Sequence, residues 1–350
     1  MGLEELREEI RKKDEEIVRL IAERTAVAVR IGEEKKRAGL QVRDVKVEER
    51  VKARYAAMGS EKGLSAEVMD RVSSALIKEA VDAESMVPVA RRSGKAVVIG
   101  GAGKMGAWTA KFLEGSGFEV SVVDPRSGSG LSIDDCAGSD VVVVSVPIHS
   151  TGEVLKGLER VCSPETLIFD LTSLKSPIEA RLRRMASSMK VCSVHPMFGP
   201  SATSLYGRNV IVCDCGNRQA VDEAVGIFDD RGGSIRVMGL SEHDSYMSYV
   251  LGLTHAVNIA LFTVLERSGF SFEDLRTVSS TTFNKGLDTN MSVASEDPML
   301  YYEIQHLNSH RDEMWDLFSE AVAELREKSL SDDPEGFIAL MDAGREYFKH

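Results

Sequence analysis

Lys95-Ala-Val-Val-Ile99 runs directly into Gly100-Gly-Ala-Gly-Lys-Met-Gly106, and a helix-like stretch follows. A short apolar run of this kind reads as a buried strand. Glycines in the pattern G-x-G-x-x-G between a strand and a helix mark a dinucleotide-binding turn. On this reading Gly101 permits the tight turn, Gly103 lets backbone approach a pyrophosphate, and Gly106 lets helix and strand pack closely. The phosphates then rest on the helix N-terminus at Lys104 and Met105, where free N–H groups and the dipole favour anions. Eighteen residues past Gly106 the next strand-like run ends in Asp124, placed to accept from a ribose 2′-hydroxyl. An acid there favours NAD over NADP. Arg126, two residues on, is placed to pair with a 2′-phosphate and pulls the other way.

Around this core the texture of the chain divides it in three. Strand-like runs at 96–99, 119–123, 141–146, 166–170, 190–194 and 210–213 alternate with helix-like runs, which predicts a doubly wound parallel sheet over residues 93–239. From 240 to 350 the pattern is helical, with one loop near 284–298. Upstream, residues 1–92 read as three helices. Leu3, Leu6, Ile10, Ile17, Leu20, Ile21 and Ile31 follow helical spacing over a segment about 50 Å long. It stops near Gly39. A second helix runs through Val45, Val51 and Tyr55 and ends before Gly59. A third starts after Ser65, a good N-cap with Glu67 in its first turn, and reaches about Met86. Three helices this unequal cannot close a core alone, so the segment is expected to form a helical dimer. Pro88 and Arg91-Arg92-Ser93-Gly94 read as the linker to the sheet.

Composition removes several classes of function. The chain has 350 residues, 43% of them hydrophobic, and a net charge of −12 that argues against a phosphate-backbone binder. The apolar run from Val141 to Ile148 is far too short to span a bilayer, and the N-terminus alternates acids and bases as no secretory signal does. A soluble, cytoplasmic chain is expected. Cys136, Cys162, Cys192, Cys213 and Cys215 are odd in number and scattered, without metal-ligand spacing, so reduced thiols and no metal are expected.

His195 closes a strand-like run and opens His-Pro-Met-Phe-Gly-Pro200. A histidine at the carboxyl edge of such a sheet points at the crevice where ligands bind, and Gly and two Pro residues fix the loop behind it. That makes it the leading catalytic candidate.

Taken with Asp140-Val-Val-Val-Val-Ser145-Val-Pro-Ile-His149, Asp170-Leu-Thr-Ser-Leu-Lys175 and Glu242-His243-Asp244, this loop closely resembles the prephenate dehydrogenases. Leu6-Arg7-Glu8, Ala22-Glu23-Arg24, Gly32 to Lys35 and Val42-Arg43-Asp44 resemble the all-helical class of chorismate mutase. The order mutase then dehydrogenase is that of the bifunctional T-protein family of tyrosine biosynthesis, and the resemblance spans nearly the whole chain. It implies a Rossmann domain between mutase helices and an all-α dimerisation domain. The implied chemistry is oxidative decarboxylation of prephenate, with hydride passing to NAD⁺ and neutral His195 accepting the ring hydroxyl's hydrogen bond. By the same resemblance Ser145 lies near His195 and the nicotinamide, and His243 and His255 line the prephenate pocket. The family arginine before Asp297-Pro298 is replaced by Ser292, which leaves Lys285 or Arg311 to meet a substrate carboxylate.

For the mutase, spacing adds a constraint. Arg24 and Lys35 are eleven residues apart, about 1100° or a net 20°, so they share one helix face. Arg7 lies seventeen residues before Arg24, roughly 26 Å away and about 100° round, so one small ligand cannot touch both from the same helix. Arg7 must serve another site, as in the domain-swapped homodimer of this family. The resemblance assigns Arg24 and the partner's Arg7 to the carboxylates, Lys35 to the ether side, and Asp44 and Glu48 to the hydroxyl. Glu84 faces the ether oxygen, and a carboxyl there must carry its proton to donate a hydrogen bond. Val47 and Ala80 replace a common arginine and serine, which implies weaker mutase activity. Two alternatives stay open: a degenerate mutase kept for dimerisation or regulation, and a dehydrogenase acting on arogenate or a 3-hydroxyacid.

Overall fold

The computed structural model describes residues 2–38, 40, 44–87, 93–205, 207–229 and 231–349. The expected linker at Pro88 to Arg92 lies outside the described residues, as do Gly39, Val42 and Arg43. The chain forms two compact units. One comprises the chain up to Thr172 with Ala180–Gly239, and the other Ser173–Glu179 with everything from Leu240 onward.

In the first unit, three helices precede the sheet: α1 (Leu3–Arg37), α2 (Val45–Glu61) and α3 (Ala66–Met86). Asp44 caps α2 by accepting from Val47 N, and Ser65 caps α3 by accepting from Val68 N. α2 passes through Gly59 rather than stopping before it, and the glycine there admits Met69 of α3, whose side chain would lie 2.2 Å from a Cβ. The small core here is Ile77 and Val81 with Val51 against them. Leu3, Leu6, Ile10, Ile17 and Leu20, all on the first half of α1, are exposed.

The sheet follows as β1 (Lys95–Ile99), α4 (Lys104–Glu114), β2 (Glu119–Val123), β3 (Val141–Val144), α5 (Ile148–Val161), β4 (Leu167–Asp170), α6 (Glu179–Ala186), β5 (Val191–Pro196), β6 (Asn209–Asp214), α7 (Arg218–Asp229) and β7 (Ser234–Gly239). Its order is β2-β1-β3-β4-β5-β6-β7. The first five strands are parallel, as the alternating pattern predicts, but β6 runs antiparallel to β5 and β7 parallel to β6. The expectation of a wholly parallel sheet is therefore corrected: among the described residues no helix lies between β5 and β6, and a parallel pair needs a crossover that is usually helical. β7 was not expected at all. It is an edge strand whose residues are mostly exposed or half-buried, so it carries no apolar run. All five cysteines are free, buried thiols of this sheet domain, and burial pushes Cys136 up to about 12 and Cys162 to about 11.

The second unit is helical: α8 (Leu240–Met247), a π-helical stretch (Ser248–Leu253), α9 (Thr254–Arg267), α10 (Phe272–Thr277), α11 (Thr281–Ala294), α12 (Pro298–Leu307), α13 (Arg311–Ser329) and α14 (Glu335–Tyr347). Most of the loop expected at 284–298 is helix α11. Leu240–Arg267 is continuously helical and, by length and composition alone, apolar enough to cross a membrane. It carries the buried pair His243 and Asp244 in its first two turns.

Candidate active sites

α1 and α3 run side by side in the same direction, with Arg24 donating to Leu76 O at 2.6 Å and Lys35 reaching Glu84 at 2.8 Å. Gly32 permits the approach, since a Cβ there would lie 3.0 Å from Glu84 Cα. Glu84 is buried and Lys35 about three-quarters so, which makes their ion pair a partly desolvated one. Both cations of the predicted α1 face thus meet α3. Arg7 does not join them: it is exposed and pairs with Glu4 one turn away, at 2.6 Å. Asp44 is exposed and occupied in capping α2, while Glu48, one turn further, is half-buried. Val47 is exposed and Ala80 buried.

The nucleotide turn is built much as the spacing predicts, with one exchange of roles. Gly100, not Gly101, takes the left-handed conformation, at φ +81°, and its missing Cβ leaves room for Ser145 O. Gly101 instead abuts Val122 of β2, where a Cβ would stand 2.6 Å from the side chain. Gly106 packs on Gly100, whose carbonyl oxygen would be 2.2 Å from a Cβ. At the α4 N-terminus Gly103 offers no side-chain cap, so the first-turn N–H groups of Lys104 and Met105 present donors without one. Asp124 is buried beside the turn. It accepts from Ala102 N at 3.2 Å, Arg126 N at 2.9 Å and Arg126 Nε at 3.2 Å. The Arg126 hydrogen bonds, opposed by burial, hold its carboxyl below the usual carboxylate range. These groups fit a dinucleotide: uncapped donors for a pyrophosphate and a fixed, ionised acceptor for a ribose.

His195 is buried at the end of β5, opposite Ile211 of β6. Two residues earlier on the same strand face, Ser193 Oγ donates to Asp170 at 2.5 Å, and Asp170 also accepts from Thr172 N at 2.9 Å. This buried carboxylate ties the ends of β4 and β5 and so fixes the strand that delivers His195. Ser145, half-buried, follows β3 and donates its N–H to Ile99 O at 2.8 Å, which seats it against the nucleotide turn.

In the helical unit His243 is fully buried, with Nδ1 2.7 Å from Asp244 Oδ1. Asp244 also accepts from Lys175 N at 2.9 Å, from Ser176 N at 2.6 Å and from Ser176 Oγ. Burial works against its charge, but the hydrogen bonds from His243, Ser176 and Lys175 outweigh it and hold the carboxyl below its ordinary range. The sequence motif contained Asp244 without assigning it this role; nothing local marks a contact spanning 69 positions. His255 stacks on Tyr301 with ring centroids 3.9 Å apart, and burial lowers it to about 4. Its Nδ1 is buried without a hydrogen-bond partner. Lys285 is an exposed residue of α11, and Arg311 opens α13 beside Asp312.

Comparison with known proteins gives three family matches in chain order. Residues 6–85 match chorismate mutase type II, residues 92–237 the nucleotide-binding domain of prephenate dehydrogenase, and residues 240–343 its dimerization domain. The T-protein of Haemophilus influenzae is 26% identical over 99% of this chain and 92% of its own length. A probable arogenate/prephenate dehydrogenase of Methanocaldococcus jannaschii is 27% identical over 72% of this chain and 60% of its own. Among solved structures, prephenate dehydrogenase from A. aeolicus, determined with hydroxyphenyl propionate and NAD⁺, superposes with a TM-score of 0.61 at 22% identity, covering 72% of this chain and 96% of that one.

Proposed function

The chain belongs to the prephenate dehydrogenase family, with a type II chorismate mutase domain ahead of the dehydrogenase, and from that premise we propose how its own residues carry the two reactions. The bifunctional enzyme rearranges chorismate to prephenate and then oxidatively decarboxylates prephenate to 4-hydroxyphenylpyruvate. The observation that supports this best is the presence of two separately built sites in pathway order: the cations Arg24 and Lys35 of α1 against α3, and His195 at the carboxyl edge of the sheet whose β1 runs into an uncapped nucleotide turn.

The rearrangement is unimolecular and needs no covalent catalyst, so the mutase contributes shape and charge. Arg24 and a partner's Arg7 hold the two carboxylates, Lys35 meets the ether oxygen, Glu84 faces that oxygen and can donate to it only when it carries a proton, and Asp44 and Glu48 bind the hydroxyl. This requires a homodimer in which α1 is exchanged. The exposed apolar row along the first half of α1 supports it, because a lone helix leaves that row wet.

In the dehydrogenase, Gly101, Gly103, Lys104, Met105 and Gly106 cradle the pyrophosphate and Asp124 takes the ribose hydroxyls. NAD⁺, when bound, accepts the hydride. Neutral His195 accepts the proton of the ring hydroxyl as the carbonyl forms, and loss of CO₂ aromatises the ring. Ser145 orients the reacting end, while His243, His255 and Lys285 contribute to substrate binding. Both substrates are soluble anions, which suits a cytoplasmic enzyme. Purified protein given chorismate should form prephenate, and on addition of NAD⁺ should form NADH and 4-hydroxyphenylpyruvate. Failure to form NADH from prephenate overturns the dehydrogenase assignment.

A further inference from the structure

The loop that follows His195 is gripped from two sides. From the sheet domain, Trp108 Nε1 of α4 donates to Ala202 O at 2.7 Å, and the Trp108 ring meets Phe198 edge-on at 4.9 Å. From the three N-terminal helices, Asp82 of α3 accepts from Thr203 Oγ1 at 3.0 Å and from Ser204 Oγ. Asp82 is 9% exposed, and Lys78 one turn earlier donates to it at 2.6 Å. Burial opposes its charge, but those donors hold it ionised. A second bond crosses the same junction, from the buried Arg231 guanidinium to Ser85 O. Beside these bonds lies a cavity of about 760 Å³ bordered by Trp108, Phe112, Ser85 and Arg231. The bonds of Asp82 and Arg231 thus bridge α3 to the sheet domain along the edge of this cavity.

We infer that Asp82, a residue of the mutase helix, is a positioning residue of the dehydrogenase. Its carboxylate holds Thr203 and Ser204, and through them the loop that leaves β5 directly after His195, a second tether on the strand that Asp170 already holds from the other side. The inference rests on the dehydrogenase reading of His195. It also gives the two activities a shared part, because Glu84 lies on the same turn of α3 between Asp82 and Ser85. A reacting group displaced by about 1 Å can lose up to 10²-fold in rate, so release of this loop is expected to cost roughly tenfold in kcat.

The test uses the full chain. Thr203→Val with Ser204→Ala removes the loop's donors without touching α3. Dehydrogenase kcat should fall roughly tenfold, with KM for NAD⁺ and the mutase kcat/KM both within twofold of wild type. Asp82→Ala should give the same loss, and combining it with the loop pair should add nothing further, as for groups acting through one contact. In a Trp315→Phe background, Trp108 emission should shift to the red in each variant, a readout that does not depend on turnover. Loop variants with wild-type kcat and unshifted Trp108 emission overturn the inference, as does an additive loss in the combination. If Asp82→Ala does not fold, the loop pair alone decides. Wild type that forms no NADH from prephenate instead defeats the functional reading, and the Trp108 shift still tests the latch.

Discussion

The Lys35 ammonium stands 2.8 Å from the Glu84 carboxylate, joining two helices that run in the same direction. In that pair Lys35 is the donor and Glu84 the acceptor, so each occupies the group the other would otherwise offer to chorismate.

Replacement of Glu84 by Gln should therefore raise mutase activity or leave it within about threefold. The amide releases Lys35 and always has a hydrogen to donate to the ether oxygen. Lys35→Ala should lower mutase kcat/KM by about 10²-fold or more, since it removes a preorganised cation facing developing negative charge. Chorismate consumption by the two variants checks both. A Gln variant as impaired as the Ala variant would refute this account of Glu84.

His195→Asn should reduce dehydrogenase kcat by about 10²–10⁴-fold, the usual worth of a positioned acid or base. The mutase should stay near wild type. NADH formation from prephenate, set beside chorismate loss in the same sample, separates the two effects.

The buried, ionised Asp124 carboxylate leads us to expect a preference for NAD⁺ in kcat/KM, with Asp124→Ser eroding it. Arg126 sits exposed on that carboxylate, and a measured preference for NADP⁺ would mean that Arg126 governs the choice.

Unfolding Arg7→Ala and Arg24→Ala proteins together and refolding the mixture should restore mutase activity. A heterodimer with exchanged α1 helices regains one intact site. A mixture no more active than its components rules out the exchange.

His255 should make the fold acid-sensitive. Its folded value of about 4 lies below the ordinary 6.5, so the unfolded chain binds the extra proton between those values. Stability is unaffected above about pH 6.5 and falls as the pH drops towards 4, by about 2 kcal/mol at pH 5 from this group. Urea unfolding at pH 7.5 and pH 5 should show a smaller difference for His255→Gln than for wild type.

What the sequence disclosed divides by the range of the interaction. β1, the glycine turn and Asp124 were legible because strand, turn and acceptor lie within thirty residues and each has its own residue signature. The assignment of the tight turn to Gly101 failed by one position. Gly100 and Gly101 both need to be glycine, and only the packing of Val122 and Ser145 tells which constraint falls on which. The reversal at β6 was legible in principle, from the absence of a crossover helix between β5 and β6. β7 was not, since a half-exposed edge strand shows no apolar run. The contacts of Asp244 with Lys175 and Ser176, and of Asp82 with Thr203 and Ser204, join residues far apart in the chain. Nothing in local composition announces them.

The five cysteines give the molecule a built-in gauge. All lie between positions 136 and 215, inside the nucleotide-binding domain, with none in the helical segments before or after it. Thiols react as thiolates, so buried groups pushed as high as Cys136 and Cys162 are doubly protected, by steric cover and by their proton. A pulse of alkylating reagent followed by mass spectrometry thus counts openings of this one domain. It is blind to fraying of the mutase helices and to dissociation at either end, and so dissects the unfolding of a three-part chain without any engineered label.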